Sequence, residues 1–292
     1  MVPAMVNLLY SFDTKFCKLA TASIYSALKS KNPNTVYKIH CMVAPRTRGR
    51  MKIARLVRAA GCKLAWREIR ARENPYRAID FTRWSPVIFY RLFAHKIFPK
   101  VGRMIYLDSD TVVLEDLGNL YETDLGDHAI GGVPDYGAIL EADKHICKLL
   151  ESEIHGGLYV NSGVLLMDFA KMPDMLSAEC ELVYPDQDLI NVALDGKIFK
   201  LPMRYNFIPE KNLPNSEETG KPAIYHYYSI KPYYSRNSKS YVFFEQLVEE
   251  LGMRPRDFIR HEQKYSSKKT NARFVSMRGN KLKLFGITIM RG

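Results

Sequence analysis

The chain has 292 residues, 47% hydrophobic and 25% charged, which excludes a wholly disordered protein and is enough to bury a core as one large domain or one domain with an appendage. No segment approaches the roughly 18 to 20 uninterrupted apolar residues that span a bilayer. The formal net charge is +12, and it is unevenly placed: residues 46–103 carry 16 Lys/Arg against 3 Asp/Glu, residues 104–251 carry 11 against 25, and residues 252–292 carry 11 against 2. The acidic middle repels polyanions unless a cation sits there, and the basic flanks suit phosphate groups, an acidic acceptor or an anionic membrane surface.

The first ten residues are apolar but short, lack a basic start, and are interrupted by Asn7 and closed by Asp13. They read as a first strand, Val6–Ser11, and not as a signal peptide. Lys15–Ser30 has the helical repeat, with Phe16, Leu19, Ala20, Ile24, Ala27 and Leu28 on one face. A turn at Asn32–Asn34 leads to a strand over Tyr37–Val43 and a helix over Thr47–Ala60 that Gly61 stops. Leu64–Ile69 reads as a strand. Ser85 and Pro86 open a helix expected to run through Phe98, with serine as the cap and proline at its first position. Arg103–Leu107 is the next strand. This alternation predicts an α/β domain on a mostly parallel sheet. Beyond about residue 235 it fades into one helix, Tyr241–Leu251, and a basic tail with a final strand over Lys281–Met290. Cys17, Cys41, Cys62, Cys147 and Cys180 are scattered singly, which argues against a disulfide framework or structural zinc and fits a reducing cytosol.

The most informative stretch is Tyr106–Val113, where an apolar strand runs out into Asp108 and Asp110 and then resumes as a β-branched run. In extended backbone, residues i and i+2 point to the same side. Two adjacent carboxylates repel unless a cation lies between them. Hard oxygen ligands at a strand end suit Mg²⁺ or Mn²⁺ holding a substrate diphosphate; the alternative is a solvated polar turn.

Tyr106–Leu117 (YLDSDTVVLEDL) resembles the metal-binding signature of glycosyltransferase family 8, which includes glycogenin and bacterial lipopolysaccharide galactosyl- and glucosyltransferases. Further elements follow in the family's order: the strand ending at Asp135, Asn161–Asp168 (NSGVLLMD), the Asp186–Asn191 helix start, and His226 with Lys231 and Pro232. The resemblance covers about residues 5 to 235. It implies a single Rossmann-like, GT-A type nucleotide-sugar-binding domain over 1–235, with a mixed, mostly parallel sheet, and a helical, basic extension over 236–292.

By that resemblance, Asp108, Asp110 and His226 hold Mn²⁺ or Mg²⁺. Asp13 accepts the uracil N3–H, Lys15 lies by the ribose, and Phe16 lies against the base or on the buried helix face. Ser11 offers backbone groups to the base. Arg91, in a stretch similar to the family's YYRL helix, approaches the diphosphate or sugar, or is a solvated helix arginine. Asn161 bonds sugar hydroxyls, and Gly163 permits close backbone approach. Asp186 is a helix cap or a partner of donor-sugar hydroxyls, Gln187 lies beneath the anomeric carbon, and Asp188 is a nearby second carboxylate. Ser229 stands where the family has glycine, and Lys231 comes one residue early, so the loop that brings Lys231 to the diphosphate is shortened.

The implied reaction is retaining transfer of glucose or galactose from a UDP-sugar to a hydroxyl of a glycan, lipid-linked or glycoprotein acceptor. Two routes retain configuration: front-face attack, or a covalent route for which Asp188 is the available nucleophile. A nucleotidyltransferase, or a non-catalytic sugar-nucleotide-binding protein, are the competing readings. A cytoplasmic enzyme docked through its basic tail on the inner membrane face is expected. Aromatics interleave the tail's charges, but no nucleic-acid-binding motif accompanies them, so no nucleic acid partner is expected.

Overall fold

The computed structural model describes residues 4–77, 85–136, 143–173, 175, 182–208, 221–228, 239–254, 258, 275–278, 281–284 and 287–290. The first half builds the expected alternation: β1 (Ala4–Phe12), α1 (Cys17–Ser30), β2 (Thr35–Val43), α2 (Arg50–Ala59) and β3 (Lys63–Glu68). Then come β4 (Arg103–Leu107), β5 (Thr111–Val113), β6 (Ile130–Pro134), β7 (Val160–Asp168), β8 (Ile198–Lys200) and β9 (Ile224–His226). The further helices are α3 (Ala94–Ile97), α4 (Gly118–Tyr121), α5 (Lys144–Ser152), α6 (Pro185–Ala193) and α7 (Lys239–Glu250).

Seven strands form one sheet in the order β3-β2-β1-β4-β7-β6-β8. β1, β2, β3 and β4 run parallel, β7 is antiparallel to both β4 and β6, and β6 is parallel to β8. The sheet is therefore mixed and mostly parallel, as expected. Its period-2 alternation feeds two apolar layers. Leu9, Met104, Tyr106 and Leu165 enter one; Leu8, Tyr10, Ile105 and Leu166 enter the other. A sheet covered on both faces explains why its strands read as near-continuous apolar runs.

The Ser85–Phe98 helix differs from expectation. Pro86–Phe93 is a 3-10 helix, and only Ala94–Ile97 is α-helical. The Arg91 side chain takes part in this: its Nε donates to the Ile88 carbonyl at 3.1 Å, competing for an acceptor that an α-helix would give to Leu92. Ser85 does not cap that segment through its side chain. The final strand is also corrected: Lys281–Met290 is a hairpin of β11 (Lys281–Leu284) and β12 (Ile287–Met290), with β10 (Val275–Arg278) on the other edge of β11. Helix α7 packs Phe244, Leu247 and Val248 with Leu19 and Ala22 of α1, and Glu250 meets Lys29 and Tyr25. Among the described cysteines, Cys17, Cys41, Cys62 and Cys147 are free thiols; Cys180 lies outside the described residues. No described helix is long and apolar enough to cross a membrane.

Candidate active site

A cavity of about 490 Å³ opens beyond the carboxyl ends of β1 and β4. Open α/β sheets place ligands there, because loops diverge where strand order switches. Ser11, Asp13, Lys15, Phe16, Arg91, Asp108, Asp110, Asn161, Asp186, Gln187 and His226 all line it, from segments more than 200 residues apart in sequence. Lys231 lies outside the described residues. Asp188 does not line it.

Asp108 is the first residue past β4. The chain then turns into β5, which pairs antiparallel with β9 in a two-stranded sheet. That register sets Thr111 opposite His226, so a histidine 116 positions from Asp110 in the sequence stands beside it. The His226 Nε2 lies 3.5 Å from Asp110 Oδ1 and 3.8 Å from Asp108 Oδ2. One ligand atom from each of the three residues falls within 4.8 Å of the others. That spacing is close to what the ligands of one small divalent cation need, so these three residues would hold such an ion.

The donor set also fits a cation chemically. His226 is 1% exposed, and its Nε2 is a buried polar atom with no hydrogen-bond partner among the described residues. A buried acceptor costs free energy unless it is satisfied, and the nearest groups are carboxylates, which are acceptors themselves. A divalent cation satisfies all three. Two carboxylates with one imidazole suit Mn²⁺, and Mg²⁺ less well, since it prefers oxygen. Asp108 presents only one oxygen: its Oδ1 accepts from Arg91 Nη2 at 2.8 Å and the Tyr106 hydroxyl at 2.7 Å, leaving Oδ2 toward His226.

Arg91 is not a solvated helix arginine. It is 3% exposed, and its guanidinium carbon lies 4.1 Å from the Tyr106 ring centroid. Nη1 donates to the Ser162 carbonyl at 2.6 Å, Nη2 holds Asp108, and Nε lies 3.3 Å from Asp186 Oδ2. The fork is used inside the protein, bridging two cavity carboxylates. Burial pushes the Asp186 carboxyl up to about 6, against the pull of Arg91; Asp108 adds to the rise, and the Ser162 hydroxyl opposes it. Asp186 is not a cap: Tyr184 caps α6, and Pro185 precedes Asp186 in its first turn.

Gln187 is held on three sides. Its Oε1 accepts from the Ser162 N–H at 3.0 Å, and its Nε2 donates to Asp135 at 3.0 Å and to the Tyr159 hydroxyl at 3.2 Å. Asp188 is fully buried and surrounded by donors. The Tyr159 hydroxyl bonds Oδ1 at 2.6 Å, and His145 Nε2 and the Val183 and Tyr184 N–H groups all meet Oδ2. It anchors the approach to α6 and faces away from the cavity.

Asp13 ties down the turn after β1. Its Oδ1 accepts from the Lys15 and Phe16 N–H groups and its Oδ2 from the Ser85 hydroxyl at 2.8 Å. The buried hydroxyls of Ser11 and Ser109 line the cavity without a hydrogen-bond partner among the described residues. Asn161 is 4% exposed, and its amide is engaged by Gly163, Asn206 and Asp135. The group that closely approaches Gly163 is the His226 ring: a Cβ at this position would lie 2.1 Å from Cε1.

Sequence reasoning missed Asp135, Ser162, Tyr159 and Asn206. Asp135 had a signal, since it directly follows the apolar strand β6 as Asp108 follows β4. Asn206 had none; it ends a short 3-10 turn with no periodic pattern.

The model of glycosyl transferase family 8 matches residues 7–235. The chain belongs to this family. It is 33% identical over 136 residues to a lipopolysaccharide 1,2-glucosyltransferase of Escherichia coli K12, covering 43% of this chain and 39% of that protein. A putative glycosyltransferase of Haemophilus influenzae is 24% identical over 219 residues, covering 70% of this chain and 64% of that one. The chain thus aligns with well under two thirds of the first of these relatives. The solved structure of the galactosyltransferase LgtC in complex with donor and acceptor sugar analogues superposes with a TM-score of 0.67 at 19% identity, over 87% of this chain and 99% of that one. At that identity the likeness establishes the fold.

Proposed function

We propose that this protein is a glycosyltransferase that moves glucose or galactose from a UDP-sugar to a hydroxyl of a glycan acceptor, with retention of anomeric configuration and dependence on Mn²⁺. The observation that carries the reading is the buried, unpartnered His226 Nε2 beside Asp108 and Asp110 on the wall of the cavity. Asp108, Asp110 and His226 would hold the cation, which when bound supplies positive charge to the leaving diphosphate.

The chain's own residues do the rest. Arg91 fixes Asp108 so that one oxygen faces the cation site. Asp13, with Ser11, Lys15 and Phe16, forms the end of the cavity suited to a uracil base and ribose. Asp186 is the cavity carboxylate suited to donor-sugar hydroxyls, and Asn161, whose amide is engaged by Gly163, Asn206 and Asp135, shapes the wall beside it. Gln187, held by Ser162 and Asp135, keeps an amide and not a base near the anomeric carbon, so no side chain there is built to deprotonate an acceptor from the opposite face. Asp188, enclosed by four donors, is a poor nucleophile, which favours front-face attack. We read 1–235 as the catalytic domain and 236–292 as an extension that contacts the acceptor or an anionic membrane surface. Its charge supports that reading, as would a location at the inner membrane face.

The test is release of UDP from UDP-glucose and UDP-galactose, with and without Mn²⁺. Activity should vanish in EDTA and return with Mn²⁺, and Asp110→Asn should lose well over tenfold in rate, about 1.4 kcal/mol or more. Full activity in chelator would sink the metal role. Release of pyrophosphate would point instead to nucleotidyl transfer.

A further inference from the structure

We infer that Asn206 is a positioning residue which locks His226 in the one neutral tautomer able to bind a cation. The inference rests on the metal reading above and adds a residue to it. His226 Nδ1 lies 2.9 Å from Asn206 Oδ1, and Asn206 Nδ2 lies 2.9 Å from Asn161 Oδ1. Asn161 Oδ1 also receives the Gly163 N–H at 3.0 Å, while its Nδ2 faces Asp135 Oδ2 at 3.2 Å.

This chain of bonds has a single consistent direction. A backbone N–H can only donate, so the Asn161 atom facing Gly163 is its oxygen. That oxygen only accepts, so the Asn206 atom facing it is the NH₂ group. Asn206 then presents its oxygen to Nδ1, and Nδ1 carries the hydrogen. The lone pair is left on Nε2, toward Asp108 and Asp110. A metal-bound histidine is oriented by the partner of its other ring nitrogen, and loss of such a partner typically weakens metal binding 10–100-fold.

The opposite tautomer is a real competitor here. Two carboxylates within 3.8 Å of Nε2 would attract a hydrogen to that atom, and a hydrogen there blocks the cation. Asn206 supplies the acceptor that keeps it on Nδ1. Both His226 and Asn206 are buried, at 1% and 3% exposure, so water does not replace that acceptor.

The experiment has two arms. In the first, the native metal-free protein is labelled with ¹⁵N-histidine and its imidazole nitrogens are read by NMR at pH about 8, above the ordinary histidine pKa. The signals of His226 are assigned by their loss in His226→Gln. We expect Nδ1 protonated and Nε2 bare. In the second, Mn²⁺ binding is measured by the EPR signal of the free ion for the native protein and Asn206→Leu, without nucleotide. We expect affinity to fall at least tenfold, with the His226 proton moving to Nε2. A native protein that binds Mn²⁺ but carries the proton on Nε2 overturns this inference alone. So does a folded Asn206→Leu variant with native tautomer or affinity within threefold of native. If that variant does not fold, the native tautomer decides. A native protein that binds no Mn²⁺ overturns the metal reading, and this inference with it.

Discussion

Replacing Gly163 with alanine tests the packing behind the cation site. Gly163 lies within β7 and has no positive φ, so its backbone accepts alanine. The obstacle is the His226 ring. A Cβ would lie 2.1 Å from Cε1 and 2.7 Å from each ring nitrogen. Ordinary carbon contacts are about 3.5–4.0 Å, so the ring must retreat by more than 1 Å. That is enough to break the 2.9 Å bond from Nδ1 to Asn206. Overpacking costs about 1–3 kcal/mol, and an unsatisfied buried N–H costs about 1–3 more. At roughly 2–4 °C per kcal/mol for a chain of this size, the combined cost of about 2–6 kcal/mol should lower Tm by about 4–24 °C.

Mn²⁺ affinity should drop more than tenfold, because one of three ligands has moved. Thermal unfolding and Mn²⁺ titration measure the two effects. A double-mutant cycle then isolates the cause. In a His226→Ala background the ring is gone, and Gly163→Ala should cost nothing further. If it costs as much without the ring as with it, the steric account is wrong. Native Mn²⁺ affinity in the single variant would refute it more directly.

Asp188→Asn should lower stability by about 3 kcal/mol or more, since the new NH₂ group faces donors that the carboxylate satisfied; denaturant unfolding measures it. A glycosyl-enzyme accumulating on Asp188 of the native protein would restore it as a nucleophile. His40 is buried and its pKa is lowered to about 4, by burial first and by Lys38 second. The folded state thus keeps His40 neutral while the unfolded chain protonates near 6.5, so stability should fall as pH drops from 6.5 toward 4, by up to about 3 kcal/mol, and His40→Gln should flatten that slope in urea melts. UDP should bind more tightly than ADP or GDP, and Asp13→Ala should narrow the gap in calorimetry. An α-linked UDP-hexose should yield an α-linked product by NMR.

The strand–helix order was legible because the central strands β1, β4 and β7 are buried on both faces, while helix α2 buries one face, Ile53 and Val57. β4 was read to its exact ends, and β1, β2 and α1 to within two residues. The candidate cation ligands stood out for a different reason: Asp108 and Asp110 interrupt an apolar run, and such an interruption calls for a chemical cause. What the sequence withheld was direction. It offered Arg91 and Asn161 as groups reaching for the donor, yet their bonds turn inward. It placed Asp188 beside Gln187, but successive residues of α6 point about 100° apart, so Gln187 meets the cavity while Asp188 meets Tyr159 and His145. Asn206 acts only through partners from β7 and β9, and no local pattern encodes a contact of that kind.

These inward bonds have a consequence for the electrostatics of the site. Four carboxylates line one cavity; three of them, Asp108, Asp110 and Asp186, surround the Arg91 guanidinium or the candidate cation site. Because Arg91 is buried and its donors are engaged by Ile88, Ser162, Asp108 and Asp186, it neutralises the protein's own carboxylates and has little left for an incoming diphosphate. A doubly charged leaving group therefore needs positive charge from elsewhere. The basic segment 46–103 supplies long-range attraction, but screening confines exposed charges to about 10 Å. In the proposed reading, a cation held by Asp108, Asp110 and His226 would supply that charge beside the leaving diphosphate. On this account Arg91 orients Asp108: by occupying Oδ1 it leaves Oδ2 turned toward His226, where a proposed cation would be received.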